Sequence, residues 1–259
     1  MSRQGNTQRT ATQSSGELID SGDIPGGGTL HLLRYGDEYS IQFRGDELMG
    51  SRDYSSEQAL ATIACDRLGN TDGRVLIGGF GMGFTLGAAL AAWSSASVFV
   101  VVELIPKVLE WAKGPLADIS GQHLRDPRVS VRLADVHDVI AAASDEFDAI
   151  LLDVDNGPDG FIRPHNDRLY SAWGLRDAYG ALRSGGMLAI WSAYSDANFV
   201  EMLETTGFEV DEVRIPAFRG CEDEWHTIWL ARKPATGGRS LNVPSGPKAI
   251  VVAGEDLIG

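Results

Sequence analysis

The stretch RVLIGGFGMG, residues 74–83, decides how the rest of the chain reads. Its apolar start, 75–77, has the composition of a buried strand and runs directly into Gly78, Gly79, Gly81 and Gly83. FTLGAALAAW, 84–93, then has the composition of a buried helix. Strand, glycine turn and helix in that order build a nucleotide site at the carboxyl end of the first strand of an open α/β sheet. Glycines suit such a turn because a side chain would hold a ligand off the backbone. The helix start adds unpaired N–H groups and partial positive charge. The spacing is G-x-G-x-G, with Leu86 where the dinucleotide fingerprint places a third glycine. A tight turn without a ligand has the same pattern, so the downstream residues select the reading.

Downstream, strands and helices alternate. SVFVVV, 97–102, is an all-apolar β-branched run, as expected of a parallel strand covered on both faces, and it ends at Glu103. Pro106 opens a helix, PKVLEWAK, in the first-turn position that proline favours. VSVRL, 129–133, leads to Asp135, and FDAILL, 147–152, leads to Asp153. A helix is expected over 176–182, a turn at 184–186, a fifth strand at 187–191 and a helix at 199–206. Segments 209–215 and 227–232 read as a final antiparallel pair. The fold class is therefore α/β, a doubly wound Rossmann-like sheet with its ligand across the strand ends.

Upstream, 20–28 reads as a glycine-rich lead-in, 29–35 and 38–43 have strand composition around the turn Gly36-Asp37, and 47–51 adds a short third strand. SSEQALATIACDRL, 55–68, predicts a helix capped by Ser55 or Ser56. The expected organisation is a tail at 1–16, a small β unit at 17–54, the nucleotide-binding domain at 55–233 and a Gly/Pro/Ser-rich extension at 234–259.

The chain has 259 residues and a net charge of -14. That charge argues against non-specific nucleic-acid binding and is compatible with a cationic small substrate. Two cysteines make neither a disulfide framework nor a metal cluster, and five scattered histidines show no metal-ligand spacing, so no metal is expected. No apolar run is long enough to span a bilayer, and no signal-peptide core is present. These features predict a cytoplasmic protein with no membrane partner.

Three acids end three successive strands. Glu103, roughly 20 residues past the glycines, is placed to accept both ribose hydroxyls of a nucleoside. Asp135 is placed either to accept an adenine amine or to cap the helix that follows. Asp153 opens the loop DVDNGPDG, which also carries Asp155. Asp153 is positioned to bind a substrate ammonium and take its proton. A calcium loop is rejected here, because Gly157 and Pro158 fall where a ligand and the turn glycine belong. In FIRPHNDRLY, Arg163 and His165 belong to a solvated loop or to a cover over the substrate. The segment 220–226, GCEDEWH, is a candidate pocket rim.

The order GGFGMG, VVELIP, LADV, ILLDVDNGP and LYSAWGL resembles the spermidine-synthase family, aminopropyltransferases of the class I S-adenosylmethionine-dependent methyltransferase fold. The resemblance covers roughly 29–233. It implies a seven-stranded methyltransferase sheet, an S-adenosylmethionine or decarboxylated S-adenosylmethionine cofactor, and a homodimer. By the same resemblance, Gly79, Phe80, Gly81, Met82, Gly83, Glu103, Leu104, Asp135, Val136 and Asp153 would contact the cofactor. Asp153 matches the family's catalytic aspartate, with Asp155 and Tyr170 beside it on the acceptor side. Glu57 and Tyr54 would reach the acceptor from the start of the first helix. Apart from the resemblance, Trp191 and Tyr194 are aromatics that either wall the pocket and face a cation or pack in the core or rim.

The chain departs from the family pattern at instructive places. Polyamine synthases typically read GGGDGG, and Gly81 stands at that aspartate. Ser55 and Ser56 replace a tyrosine-histidine pair, and DVDNGP replaces a DSSDP-like loop. A polar polyamine contact gives way to Trp191-Ser192-Ala193-Tyr194. These departures make a cofactor that keeps its carboxylate more acceptable, so the sequence favours methyl transfer to a small amine- or thiol-bearing acceptor. Aminopropyl transfer is the alternative, and a non-catalytic nucleoside-binding or interaction protein is the third reading. A nicotinamide dehydrogenase is disfavoured by Leu86 and by the acid after the fourth strand.

Overall fold

The computed structural model describes residues 16–154, 167–218, 220–221, 223–235 and 250–251. Four antiparallel strands come first, hydrogen-bonded in chain order: β1 Glu17–Asp23, β2 Thr29–Tyr35, β3 Glu38–Phe43 and β4 Asp46–Gly50. β2 and β3 have the expected bounds, and β4 begins one residue early. β1 is a correction, since 20–28 reads as a glycine-rich lead-in. Its residues, ELIDSGD, have poor strand propensity, and pairing with β2 from Glu17↔Arg34 to Asp23↔Thr29 imposes the extended form. Ile24, Leu30, Leu32, Ile41 and Phe43 are buried around this sheet.

α1 Ser55–Leu68 joins it to the second sheet. That unit runs β5 Arg74–Gly78, α2 Phe84–Ala92, β6 Val98–Glu103, α3 Pro106–Lys113, β7 Val129–Leu133, α4 Val136–Ala141 and β8 Phe147–Leu152. It continues with α5 Asp167–Tyr170, α6 Ala172–Ala181, β9 Leu182–Ser192, α7 Ala197–Thr206, β10 Glu209–Pro216 and β11 Trp225–Arg232. The spatial order is β10-β11-β9-β8-β5-β6-β7. β5 to β9 are parallel, and β11 is antiparallel to both its neighbours. These seven strands are the doubly wound sheet expected from the sequence. A two-residue strand, β12 Ile250–Val251, lies parallel to β10 beyond them. Between α3 and β7, a π-helical turn Ala117–Gly121 and a 3-10 turn His123–Arg125 fill a connection whose sequence carries no clear periodicity.

The central strands divide their side chains between two cores. Val75, Ile77, Phe99, Val101, Leu151 and Trp191 pack on the face covered by α1, α2 and α3. Leu76, Val100, Ile150, Leu188, Ile190 and Trp229 pack on the face covered by α4, α6 and α7. Burial on both faces explains the unbroken apolar runs, each large side chain contributing roughly 1.5–3 kcal/mol. From β5 the chain winds outward through β6 to β7, then returns to β8 on the other side. The strand tips around β5 therefore form the topological switch point, where a crevice opens.

The start of α1 is a second correction. Tyr54, not a serine, occupies the N-cap and no side chain caps the helix, because the Ser56 hydroxyl is turned to Glu57.

Candidate active site

The glycine turn is held by the strands around it. Gly79 N–H donates to the Val102 carbonyl at 2.9 Å, and Asp153 N–H donates to the Gly78 carbonyl at 3.0 Å. The tips of β5, β6 and β8 are thus tied together. Gly79, Gly81 and Gly83 all have positive φ, at 85°, 54° and 80°. At Gly79 an added Cβ would also lie 2.3 Å from the Asp153 carbonyl oxygen. The glycines are therefore needed by the chain's own backbone before any ligand is considered.

Glu103 is buried, and both its oxygens take backbone donors: Phe80 N–H on Oε2 at 2.9 Å and Ile105 N–H on Oε1 at 2.8 Å. Burial holds its carboxyl above the usual range, and the backbone N–H groups only partly oppose this. The Leu104 and Gly81 N–H groups also face this carboxylate and favour its ionised form. Asp135 caps α4 by accepting from His137 N–H at 3.0 Å, and its other oxygen accepts from Arg168 Nη2 at 3.1 Å.

Asp153 and Glu57 sit at the far end. The Thr85 hydroxyl, in the first turn of α2, lies 2.6 Å from Asp153 Oδ2 and 3.2 Å from the Glu57 carbonyl. Burial pushes the Asp153 carboxyl above its usual range. Glu57 is raised to about 7, first by burial and then by the Asp153 charge, while Ser56 pulls the other way. Ser56 Oγ donates to Glu57 Oε2 at 2.7 Å, and His226 Nδ1 lies 2.9 Å behind Ser56 Oγ.

All of these acids face one cleft. Glu57, Glu103, Asp135 and Asp153 line it together with Gly79, Phe80, Gly81, Met82, Gly83, Leu104, Val136 and Trp191. Ile24, Leu30, Ile41, Leu48 and Met49 of the small sheet form an apolar wall opposite the glycine turn. Among the described residues lining it, four are acidic and none is basic.

Three sequence-picked residues sit elsewhere. Tyr170 is buried on the α7 side, edge-on to Phe199, and its hydroxyl donates to the Val154 carbonyl at 3.1 Å. It is not among the residues lining the cleft, and its hydroxyl bond supports the backbone next to Asp153. Tyr194 is 60% exposed and also outside the lining, because the chain turns outward after β9. Tyr54 stacks on Phe84 at 4.0 Å and reaches the cleft only through that ring. Asp155, Arg163, His165 and Glu222 lie outside the described residues. Sequence reading missed Thr85, Ser56 and His226 as site groups. Thr85 follows the glycines closely enough to be suspected, whereas His226 comes from β11 and carries no local signal beyond the rim segment.

A glycine turn at the switch point of a seven-stranded sheet, with acids at the tips of β6, β7 and β8, defines the Rossmann-like methyltransferase class of fold. Within that class the fold is spermidine-synthase-like. It is similar to a spermidine synthase solved in complex with the transition-state analogue AdoDATO, at 18% identity and a TM-score of 0.66, over 84% of this chain and 72% of that one. It is similar to the spermidine synthase of Thermotoga maritima at 18% identity and a TM-score of 0.66, over 84% and 73%. A probable spermidine synthase of Corynebacterium glutamicum shows 18% identity and a TM-score of 0.59, over 84% and 80%. No protein-family model matches the chain, and no curated protein matches it.

Proposed function

We propose that the protein is a transferase that moves the aminopropyl group of decarboxylated S-adenosylmethionine to a small amine. The charge of the cleft carries this reading: four carboxylates and no basic side chain among the described lining residues. S-adenosylmethionine brings a carboxylate that would find no cation among those described lining residues. Its decarboxylated form brings two positive charges and no negative one. The likeness in fold to spermidine synthases supports the same choice over the methyl transfer that the sequence favoured.

In this reading Glu103, which lines the cleft at the tip of β6, receives the ribose hydroxyls. Asp135 lies at the adenine end, and the glycine turn lets the sulfonium approach the backbone. When bound, the donor supplies an activated methylene carbon: the amine nitrogen bonds to it, the carbon–sulfur bond breaks, and that electron pair goes to sulfur. The protein's task is alignment and proton handling. Asp153 and Glu57 receive the acceptor ammonium, whose positive charge returns both to the ionised form. One of them takes the proton that the nitrogen must lose. Thr85 fixes Asp153 Oδ2, so the carboxylate presents its other oxygen to the acceptor. A cytoplasmic homodimer is part of the same proposal.

Incubation with a short diamine and each donor form tests it. Release of methylthioadenosine is expected, and Asp153→Asn should lower kcat/KM by about 100-fold or more. Release of S-adenosylhomocysteine would replace it with the second reading, methyl transfer. One observation favours that second reading: a Cβ at Gly81 would meet Met49 Sδ at 2.9 Å, so a thioether occupies the place where an acid would hold the donor's free ammonium.

A further inference from the structure

We propose that His226 is a positioning residue which, through Ser56, fixes the Glu57 carboxylate as the charged group that receives the acceptor amine. The inference rests on the amine-acceptor reading above and adds a residue from another part of the chain to it. The order of donors follows from counting hydrogens. Ser56 has one hydroxyl hydrogen, directed to Glu57 Oε2 at 2.7 Å. His226 Nδ1, 2.9 Å from the same oxygen, therefore approaches as a donor, Nδ1–H to Oγ. Both hydrogen bonds point towards Glu57, and such a chain favours the carboxylate over the acid.

The fold holds this arrangement from two sides. β9 and β11 pair with Trp191 opposite Ile228, which puts His226 on the same face as Trp191 and diagonal to it. The two rings meet at 4.7 Å and 66°. Ser56 is buried in the first turn of α1, between the imidazole and the cleft. Burial lowers the His226 pKa, so the ring is neutral near pH 7 and adds a dipole instead of a charge. Two acids face Glu57: Asp153 from the end of β8 and Asp53 from just before α1. Both disfavour its ionisation, as does burial, and the Ser56 hydroxyl opposes them. A rigid donor behind Ser56 keeps that hydroxyl from rotating away.

The test is a carbon-13 titration of the Glu57 carboxyl in the full chain, without ligand. The wild-type midpoint is expected at about 7. His226→Phe and Ser56→Ala should each raise it by about one pH unit, and the double variant should raise it no further. His226→Asn, whose side-chain amide can stand in for Nδ1–H, should restore the wild-type midpoint. At pH 7 the ionised fraction in His226→Phe then falls about fivefold, and KM for the amine rises by the same factor with kcat little changed. An unmoved midpoint in His226→Phe or in Ser56→Ala, or additive shifts in the double variant, would overturn the inference. Should His226→Phe fail to fold, Ser56→Ala and His226→Asn decide alone. A moved midpoint in a protein that turns over no amine would keep the hydrogen-bonded chain and sink the transferase reading instead.

Discussion

Gly79 and Glu57 show the site's demands one residue at a time. At Gly79 the backbone is left-handed and an added Cβ meets the Asp153 carbonyl. Gly79→Ala should therefore cost at least about 2 kcal/mol in chemical denaturation and abolish donor binding. At Glu57 the folded pKa lies above the unfolded one, so between about 4.5 and about 7 the folded protein holds the extra proton. Its contribution is fully present below 4.5 and is lost as pH rises through 7, amounting to at most about 3 kcal/mol. The raised carboxyls of Asp153 and Glu103 act in the same direction. Glu57→Gln should flatten the fall of stability over that window, measured by urea unfolding at several pH values; an unchanged slope would contradict the raised pKa. Glu103 and Asp153 were legible in the sequence because an acid directly after a buried strand has one place to go. Tyr170 and Tyr194 were not, since nothing in their neighbours says which way the ring turns. His226 reaches Ser56 across 170 residues of chain, a distance no local pattern spans.

Among the elements, α4 joins structure to function most directly. Asp135 ends the turn after β7, caps the helix and lines the cleft at once. Asp135→Ala should destabilise the protein by about 1 kcal/mol through the lost cap, and should weaken nucleoside binding as well. Asp135→Asn keeps a capping oxygen, so it should recover the stability without the ion pair to Arg168. The bounds of α1, β7 and β8 follow from composition and fall where the pattern puts them, although β7 is exposed along most of its length and α1 has no side-chain cap. β1 does not, because its extended form comes from pairing with β2 and not from its own residues. β9 runs from Leu182 and takes in the expected turn at 184–186: Leu182 pairs with Phe147 of β8, regular pairing resumes at Met187↔Ala149, and the residues between form an irregularity in which Gly185 has a φ of 81°.

At the scale of the whole molecule, the two sheets divide the ligand between them. The large sheet supplies the glycine turn and three of the acids, α1 supplies Glu57, and the small sheet closes the cleft with apolar side chains. Trp111 Nε1 of α3 donates to Asp20 of β1 at 2.9 Å and helps to hold the small sheet in place. Among the described residues, no helix is long and apolar enough to cross a membrane. The chain's net charge of -14 adds long-range attraction for a cationic ligand. Binding of a doubly charged donor should therefore weaken as salt rises, and more steeply than binding of S-adenosylmethionine, in titrations at several ionic strengths.

The measurement that bears most directly on the acid-lined cleft is calorimetric binding of S-adenosylmethionine against its decarboxylated form at one pH and one salt concentration. The account predicts that the decarboxylated form binds at least about tenfold more tightly, a difference of about 1.4 kcal/mol. Equal or tighter binding of the carboxylate-bearing form would contradict it.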